Sequence, residues 1–186
     1  DGKPIAIRGA NFRMSEFHAA LLRAQMTRLP DQTRRREENS AYLTKLLGEI
    51  PGIEPARVLD GCTRHGNHLY LFRYGKEHFK GLPRAVFLKA LAAEGIPVSS
   101  GYRPLNQEPV IEQTLQSRGY RRSFPKSVLA EWVERNACPA NDQLCEEACW
   151  LTQNTLLADR AAMEQIAEAM GKIADSAAEI ASASAG

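Results

Sequence analysis

The chain has 186 residues, of which 44% are hydrophobic and 25% charged, with a net charge of +2 and four cysteines. That length fits one domain, or one domain with an attached arm, of ordinary globular composition. The charge is too small to point to nucleic acid, no apolar run approaches the roughly 18 residues a membrane helix needs, and nothing secretory accompanies the cysteines to suggest a disulfide framework.

Residues 1–10 read as an extended lead-in, with Pro4 and an Ile5/Ile7 alternation and no apolar segment of signal-peptide type. Asp1 is expected to be a cut end, and the cytoplasm is the expected compartment. A turn at Gly9 to Arg13 then runs into a helix over about 15–29, capped by Ser15. Met14, Phe17, Ala20, Leu21, Ala24 and Leu29 give this segment its near-helical apolar period. Pro30 either opens a second helix, over about 31–48, or kinks one continuous rod. Gly48 stops it, and Pro51-Gly52 makes a turn.

Beyond this point the texture changes. Residues 53–59 and the aromatic-aliphatic run 68–74 (HLYLFRY) suit strands. Residues 83–94 suit a helix with Val86, Phe87, Ala90 and Leu91 on one stripe, ended by Gly95, and 96–100 a further strand. Helices are expected over 109–117, weakly over 126–135 and over 141–147, with a basic surface loop at 118–124. Residues 149–153 make a last strand. Asp159 caps a final helix to about Ile173, with Met163, Ile166, Met170 and Ile173 on one face, and the small-residue tail is expected to fray.

Short strands separated by helices predict an α+β fold: a small, mainly antiparallel sheet covered on one face by helices. The N-terminal helices carry more apolar surface than such a sheet can use, so they are expected to pack on something outside this chain.

Several constellations could carry chemistry. Asn11 and Arg13 place an amide and a guanidinium in a loop at the mouth of a helix, a common way to hold a phosphate or carboxylate; an amide that merely satisfies the local backbone is the alternative. Tyr102, Arg103 and Asn106 follow Gly101, which allows an unusual backbone angle, in a loop stiffened by Pro104. His65 and His68 precede a strand and suit a substrate edge or a purely structural role. His18 is expected to be packed or interfacial. Cys138, Cys145 and Cys149 lack the C-x2-C knuckle of a metal site, so buried thiols are expected. The RRREE run at 34–38 alternates into its own acids and reads as a solvated helix face. No serine has the His/Asp company or the G-x-S-x-G setting of a nucleophile.

The segment GANFRMSEFHAALLRAQ (9–25) resembles a motif of the DegT/StrS-type aminotransferases, and the resemblance continues through HGNHLYLFRY (65–74), GIPVSSGYRPL (95–105) and TLLADRAAMEQIAEAMGKI (155–173). These are pyridoxal-phosphate (PLP) enzymes of three-layer α/β type, and the likeness covers only their C-terminal portion. It implies an inter-domain helical arm over 1–50 with a cofactor-phosphate loop, a small α+β domain over 51–175 and a tail over 176–186. It further implies that Asn11 reaches the cofactor phosphate of the neighbouring subunit in a homodimer, and that Arg13 either positions Asn11 or meets an anionic substrate group. Tyr102, Arg103, Asn106 and His68 would meet the substrate. The family's matching triplet ends in histidine where this chain has Asn106, which puts an acid–base role there in doubt.

The reaction implied is transfer of an amino group from glutamate or glutamine to a keto-sugar or cyclitol. A PLP enzyme needs a lysine that forms a Schiff base in a dry pocket. The seven lysines here, Lys3, Lys45, Lys76, Lys80, Lys89, Lys126 and Lys172, stand in charged or loop contexts. By resemblance the catalytic lysine lies upstream of Asp1, and this chain alone should not catalyse. A family dehydratase, a regulator of the same fold and a cofactor-free helical interaction module are the other readings. Nothing points to nucleic acid or membrane as a partner.

Overall fold

The computed structural model describes residues 13–184. Ser15 caps the first helix, α1 (Glu16–Met26), its hydroxyl accepting from the His18 amide at 3.4 Å. Pro30 then sits in the first turn of α2 (Leu29–Gly48), where its missing N–H costs nothing, so the chain forms two helices rather than one kinked rod. The two differ in what they bury. Helix α2 turns Arg36, Asn39, Leu43 and Leu47 inward at spacings of three, four and four residues. Helix α1 buries nothing, and Phe17 is 90% exposed. His18 is exposed as well, so of the two roles expected for it, packed or interfacial, it is not packed within the described residues.

Four strands follow: β1 (Ile53–Pro55), β2 (Leu69–Tyr74), β3 (Val98–Ser100) and β4 (Ala148–Thr152). They form one antiparallel sheet in the order β1-β2-β4-β3. The pleat sorts its residues by face. Tyr70, Phe72, Tyr74, Cys149 and Leu151 point into the core, while Leu71, Arg73 and Trp150 lie on the opposite face. Strand β1 stops at Pro55, short of the expected residue 59, because residues 56–59 leave the ladder after one bond from Ala56 N to Leu71 O.

Three helices cover the core face: α2, α3 (Arg84–Ala93) and α9 (Arg160–Asp175), the last capped by Asp159, which accepts from Ala162 N at 3.0 Å. They supply Leu43 and Leu47, Phe87 and Leu91, and Met163, Ile166, Met170 and Ile173. Phe87 stacks on Tyr74 with ring centroids 4.2 Å apart and meets Phe79 edge-on at 5.3 Å. The Tyr74 hydroxyl donates to Leu82 O at 2.8 Å, so the phenol is both packed and satisfied. Asn39 ties α2 to the turn before α9, its amide donating to Leu156 O and Ala158 O, both at 2.9 Å.

Between β3 and β4 the chain makes an excursion of five short helices, α4 (Pro109–Gln116), α5 (Arg118–Ser123), α6 (Lys126–Ala130), α7 (Trp132–Arg135) and α8 (Pro139–Glu147), none of which contains a buried residue. Two expectations change here. Residues 118–123 are helical rather than a loop, because Ser117 caps the turn at Tyr120 N and Tyr120 stacks on Phe124 at 5.4 Å. The weak helix over 126–135 is broken into two. At the other end, the described part of the segment expected to fray is helical: α10 spans Ala177–Ser184 and Ala177 is fully buried, as small residues of good helical propensity permit. The RRREE run is also less solvated than its charges suggest, because Arg36 lies on the inward face of α2 at 7% exposure.

Candidate functional site

The 101–106 loop grows directly from the end of β3. Gly101 does not have a positive φ; its role is close approach. The Gly101 amide donates to Ala148 O at 2.7 Å, and a Cβ added to Gly101 would sit 2.7 Å from the Ala148 Cβ. No side chain fits there. Tyr102 then lies over Trp150, ring centroids 5.0 Å apart, on the face of the sheet that no helix of the core covers. Its own ring remains 76% exposed, with one side on indole and the other available. Trp150 is paired across the ladders with Leu71 and Ser99, so the tyrosine stands on a three-strand platform.

The rest of the loop is held by polar contacts. Pro104 caps a short turn, Leu105–Gln107, closed by Gln107 N donating to Pro104 O at 3.0 Å. Asn106 falls within that turn and donates to Asn136 O at 2.8 Å, which anchors the loop to the end of α7. The Arg103 guanidinium stands 3.5 Å from the Glu108 carboxylate and is otherwise open to solvent. The phenol, the guanidinium and the amide therefore stand in one loop with separate partners: Tyr102 on Trp150, Arg103 beside Glu108 and Asn106 on Asn136 O.

The other predicted positions are distributed differently. Asn11 lies outside the described residues. Arg13 is exposed just ahead of the capped start of α1. His68 is exposed immediately before β2, and among the described residues it has no hydrogen-bond partner. His65 is tied locally, its Nδ1 accepting from the Asn67 amide at 3.2 Å, in a turn where Asn67 is buried at a positive φ of 47°. His65 lines a separate cleft of about 700 Å³ between α2 and the loop leading to β2, with Arg57, Arg64, Glu37 and Tyr70. The 101–106 loop contributes nothing to that cleft.

Electrostatics divide along the same lines. In the cleft, Arg64 grips Glu37 through two bonds of 2.6 and 3.1 Å, and that hydrogen bonding holds the carboxyl below its usual range. Tyr70 is pushed up to about 12 by burial, opposed by its bond with Thr44. On the open face, burial acts to raise Glu147, but bonds from Gln143 and Arg73 outweigh it and leave the carboxyl lowered. Arg73 reaches Glu147 at 2.7 Å and Glu54 at 3.2 Å. Burial pushes the Cys149 thiol up to about 12. It is the one cysteine that is fully buried; Cys62 and Cys138 are exposed and Cys145 intermediate, which corrects the expectation of buried thiols throughout.

Among the described residues no three His, Cys, Asp or Glu side chains gather as a metal site, and no helix is long and apolar enough to cross a membrane. Every described lysine is exposed. Two residues at the site escaped the sequence reading, Arg84 and Trp150. Their signal is tertiary: neither is near residue 101 in the chain.

The described residues thus form a small antiparallel sheet backed by helices on one face, with a polar loop on the other and an apolar helix, α1, that none of them buries. The chain belongs to the DegT/DnrJ/EryC1/StrS aminotransferase family, whose profile matches residues 3–170. It is 33% identical over 178 residues to an L-glutamine:scyllo-inosose aminotransferase of Streptomyces griseus, covering 92% of this chain and 40% of that protein. To an L-glutamine:2-deoxy-scyllo-inosose aminotransferase of Streptoalloteichus tenebrarius it is 31% identical over 172 residues, covering 89% and 38%. Among solved structures, 3-amino-5-hydroxybenzoic acid synthase superposes with a TM-score of 0.69 at 28% identity, over 93% of this chain and 41% of that one. The chain therefore spans about two fifths of the length of these relatives.

Proposed function

We propose that this chain is the C-terminal part of a PLP-dependent aminotransferase that moves an amino group from glutamine or glutamate to a keto-cyclitol or keto-sugar. The observation that carries this reading is the family match across residues 3–170, with relatives whose names pair glutamine with an inosose. Bound PLP supplies the electrophilic carbonyl and electron-accepting ring that amino-group exchange needs.

The residues here suit the edge of such a site rather than its centre. Every described lysine is exposed rather than set in a dry pocket, and in line with the family resemblance the carbonyl-bonding lysine is assigned to the remainder of the protein. The exposed Arg13, just ahead of the Ser15-capped start of α1, suits a phosphate or a substrate anion. Asn11, two residues earlier, is assigned to the cofactor phosphate of a partner subunit, which makes the working unit at least a homodimer. Residues 1–50 then serve as the inter-domain arm and 51–175 as the small domain, in a cytoplasmic enzyme.

A ring bearing several hydroxyls and one carbonyl needs directional donors and acceptors along with an apolar surface. Tyr102, Arg103 and Asn106 supply the polar groups, and the exposed side of the Tyr102 ring supplies the surface, with His68 at the edge. Asn106 binds a hydroxyl without changing charge, so proton transfer is assigned to groups elsewhere in the assembled site.

The test uses the whole protein. It is expected to take up PLP with the visible absorption of a protein-bound cofactor and to convert a keto-cyclitol to its amine only when glutamine or glutamate is present. Failure of the whole protein to bind PLP overturns the reading. Replacement of Asn11 by alanine should weaken PLP retention; unchanged cofactor affinity removes that residue from the phosphate site.

A further inference from the structure

We propose that Arg84 is the positioning residue that fixes the 101–106 loop on the sheet, and through it the placement of Tyr102, Arg103 and Asn106 toward substrate. The proposal deepens the reading of that loop as the substrate wall and, for its functional consequence, rests on it.

The geometry begins at one nitrogen. Arg84 Nη1 donates to Cys145 O at 2.7 Å and to Ala148 O at 2.9 Å. Those two bonds use both hydrogens that Nη1 carries. Cys145 lies in the last turn of α8, where carbonyls have no partner further along the helix and where the helix dipole attracts a cation. Ala148 is the first residue of β4. A single guanidinium nitrogen therefore joins the end of the helical excursion to the start of the central strand.

Ala148 O is also the acceptor for Gly101 N at 2.7 Å, so its two lone pairs serve the loop root and Arg84 together. Without the guanidinium, that carbonyl is free to tilt away from residue 101. Two residues further along β4, Trp150 carries the Tyr102 ring. The loop root is thus fixed through β4 at two points, and Arg84 sets where β4 begins.

Two further facts favour positioning over a general stabilising role. Arg84 has no ion pair among the described residues; its acceptors Cys145 O and Ala148 O are both backbone carbonyls, so its location follows from backbone geometry. It also stands at the first position of α3, whose Phe87 and Leu91 are fully buried, so its own base is rigid. A lysine would present a point charge that cannot reproduce the fixed angle between the two bonds.

The test compares Arg84→Met, Arg84→Lys and Gly101→Ala by amide hydrogen exchange, and in the whole PLP-loaded enzyme by steady-state kinetics, with Tyr102→Ala as control. For Arg84→Met, exchange of the Gly101 amide at the root of the 101–106 loop is expected to rise by about tenfold while 69–74 in β2 stays within about twofold of wild type. Arg84→Lys should fall between, and Gly101→Ala, acting on the same carbonyl from the other side, should match Arg84→Met. KM for the keto substrate should rise with kcat changed less. Unchanged exchange in the loop overturns the proposal, and so does an equal acceleration across loop and sheet, which marks Arg84 as a general stabiliser. If loop exchange rises but neither Arg84→Met nor Tyr102→Ala alters KM, the latch stands and the substrate role of the loop fails.

Discussion

Asn39 gives the sharpest test of how α2 is docked beside the turn that leads into α9. It is 8% exposed, and its amide nitrogen donates to Leu156 O and Ala158 O, both at 2.9 Å. Arg35 Nε also donates to Ala158 O, at 3.1 Å, so that carbonyl keeps a partner when Asn39 is removed. Asn39→Ala therefore orphans one buried carbonyl, Leu156 O, and should cost about 2 kcal/mol. Asn39→Asp is worse, since a carboxylate then faces two carbonyl oxygens in a buried place, and about 3–5 kcal/mol is expected near neutral pH. With a urea slope of about 2 kcal/mol per molar, the alanine variant should lose about 1 M in denaturation midpoint.

The two variants also respond differently to pH. Burial beside carbonyls raises the introduced carboxyl above its unfolded value of about 3.9. A raised folded value means that the variant is at its best below the unfolded value and loses stability as pH rises through the folded one. In its protonated form the new side chain can donate to one of the carbonyls. The gap between Asn39→Asp and Asn39→Ala should thus narrow on going from pH 7 to pH 4. Urea titrations followed by tryptophan fluorescence at both pH values measure this. Equal stability of all three proteins at pH 7, or a gap that widens in acid, refutes the reasoning.

Phe87→Ala removes a fully buried ring that stacks on Tyr74 and meets Phe79, and should cost about 3–5 kcal/mol in the same titration; a cost under about 1 kcal/mol would mean the cluster repacks. A thiol reagent at pH 8 should label the exposed Cys62 and Cys138 quickly and leave the buried Cys149, whose thiol is pushed up to about 12, unmodified until denaturant is added; mass spectrometry of the labelled native chain decides. Glu37 and Glu147 are both held below the usual carboxylate value, so their pairing stabilises the fold above the unfolded value and is lost as pH falls through the folded ones. Protection of the amides over residues 56–66, after correction for the intrinsic exchange rate at each pH, should therefore fall in acid as the Glu37–Arg64 pair opens, and protection that stays constant from pH 6 to pH 3 contradicts this.

Much of this protein is legible in the chain order of its residues. The strand at 69–74 announces itself by its run of aromatic and aliphatic residues, and the final helix by a stripe at Met163, Ile166, Met170 and Ile173 together with Asp159 as its cap. These features are local: period and capping act within a few residues, so one dimension suffices to read them. The 101–106 loop was likewise visible as a glycine, a proline and three polar side chains close together.

Contacts between distant segments decided the rest. The sequence suggests that Gly101 is needed for its backbone angle, whereas the fold needs it because Ala148 passes within the space a Cβ would fill. Arg84 and Trp150 carry no local mark, since what matters about them is a carbonyl 61 residues away for one and a tyrosine on another strand's loop for the other. Charge misleads for Arg36, where helical phase turns a cation inward, and small-residue composition misleads for the tail, where Ala177 finds a buried seat. Local propensity is summed along the chain, but hydrogen-bond satisfaction and close packing are settled only between segments that folding brings together.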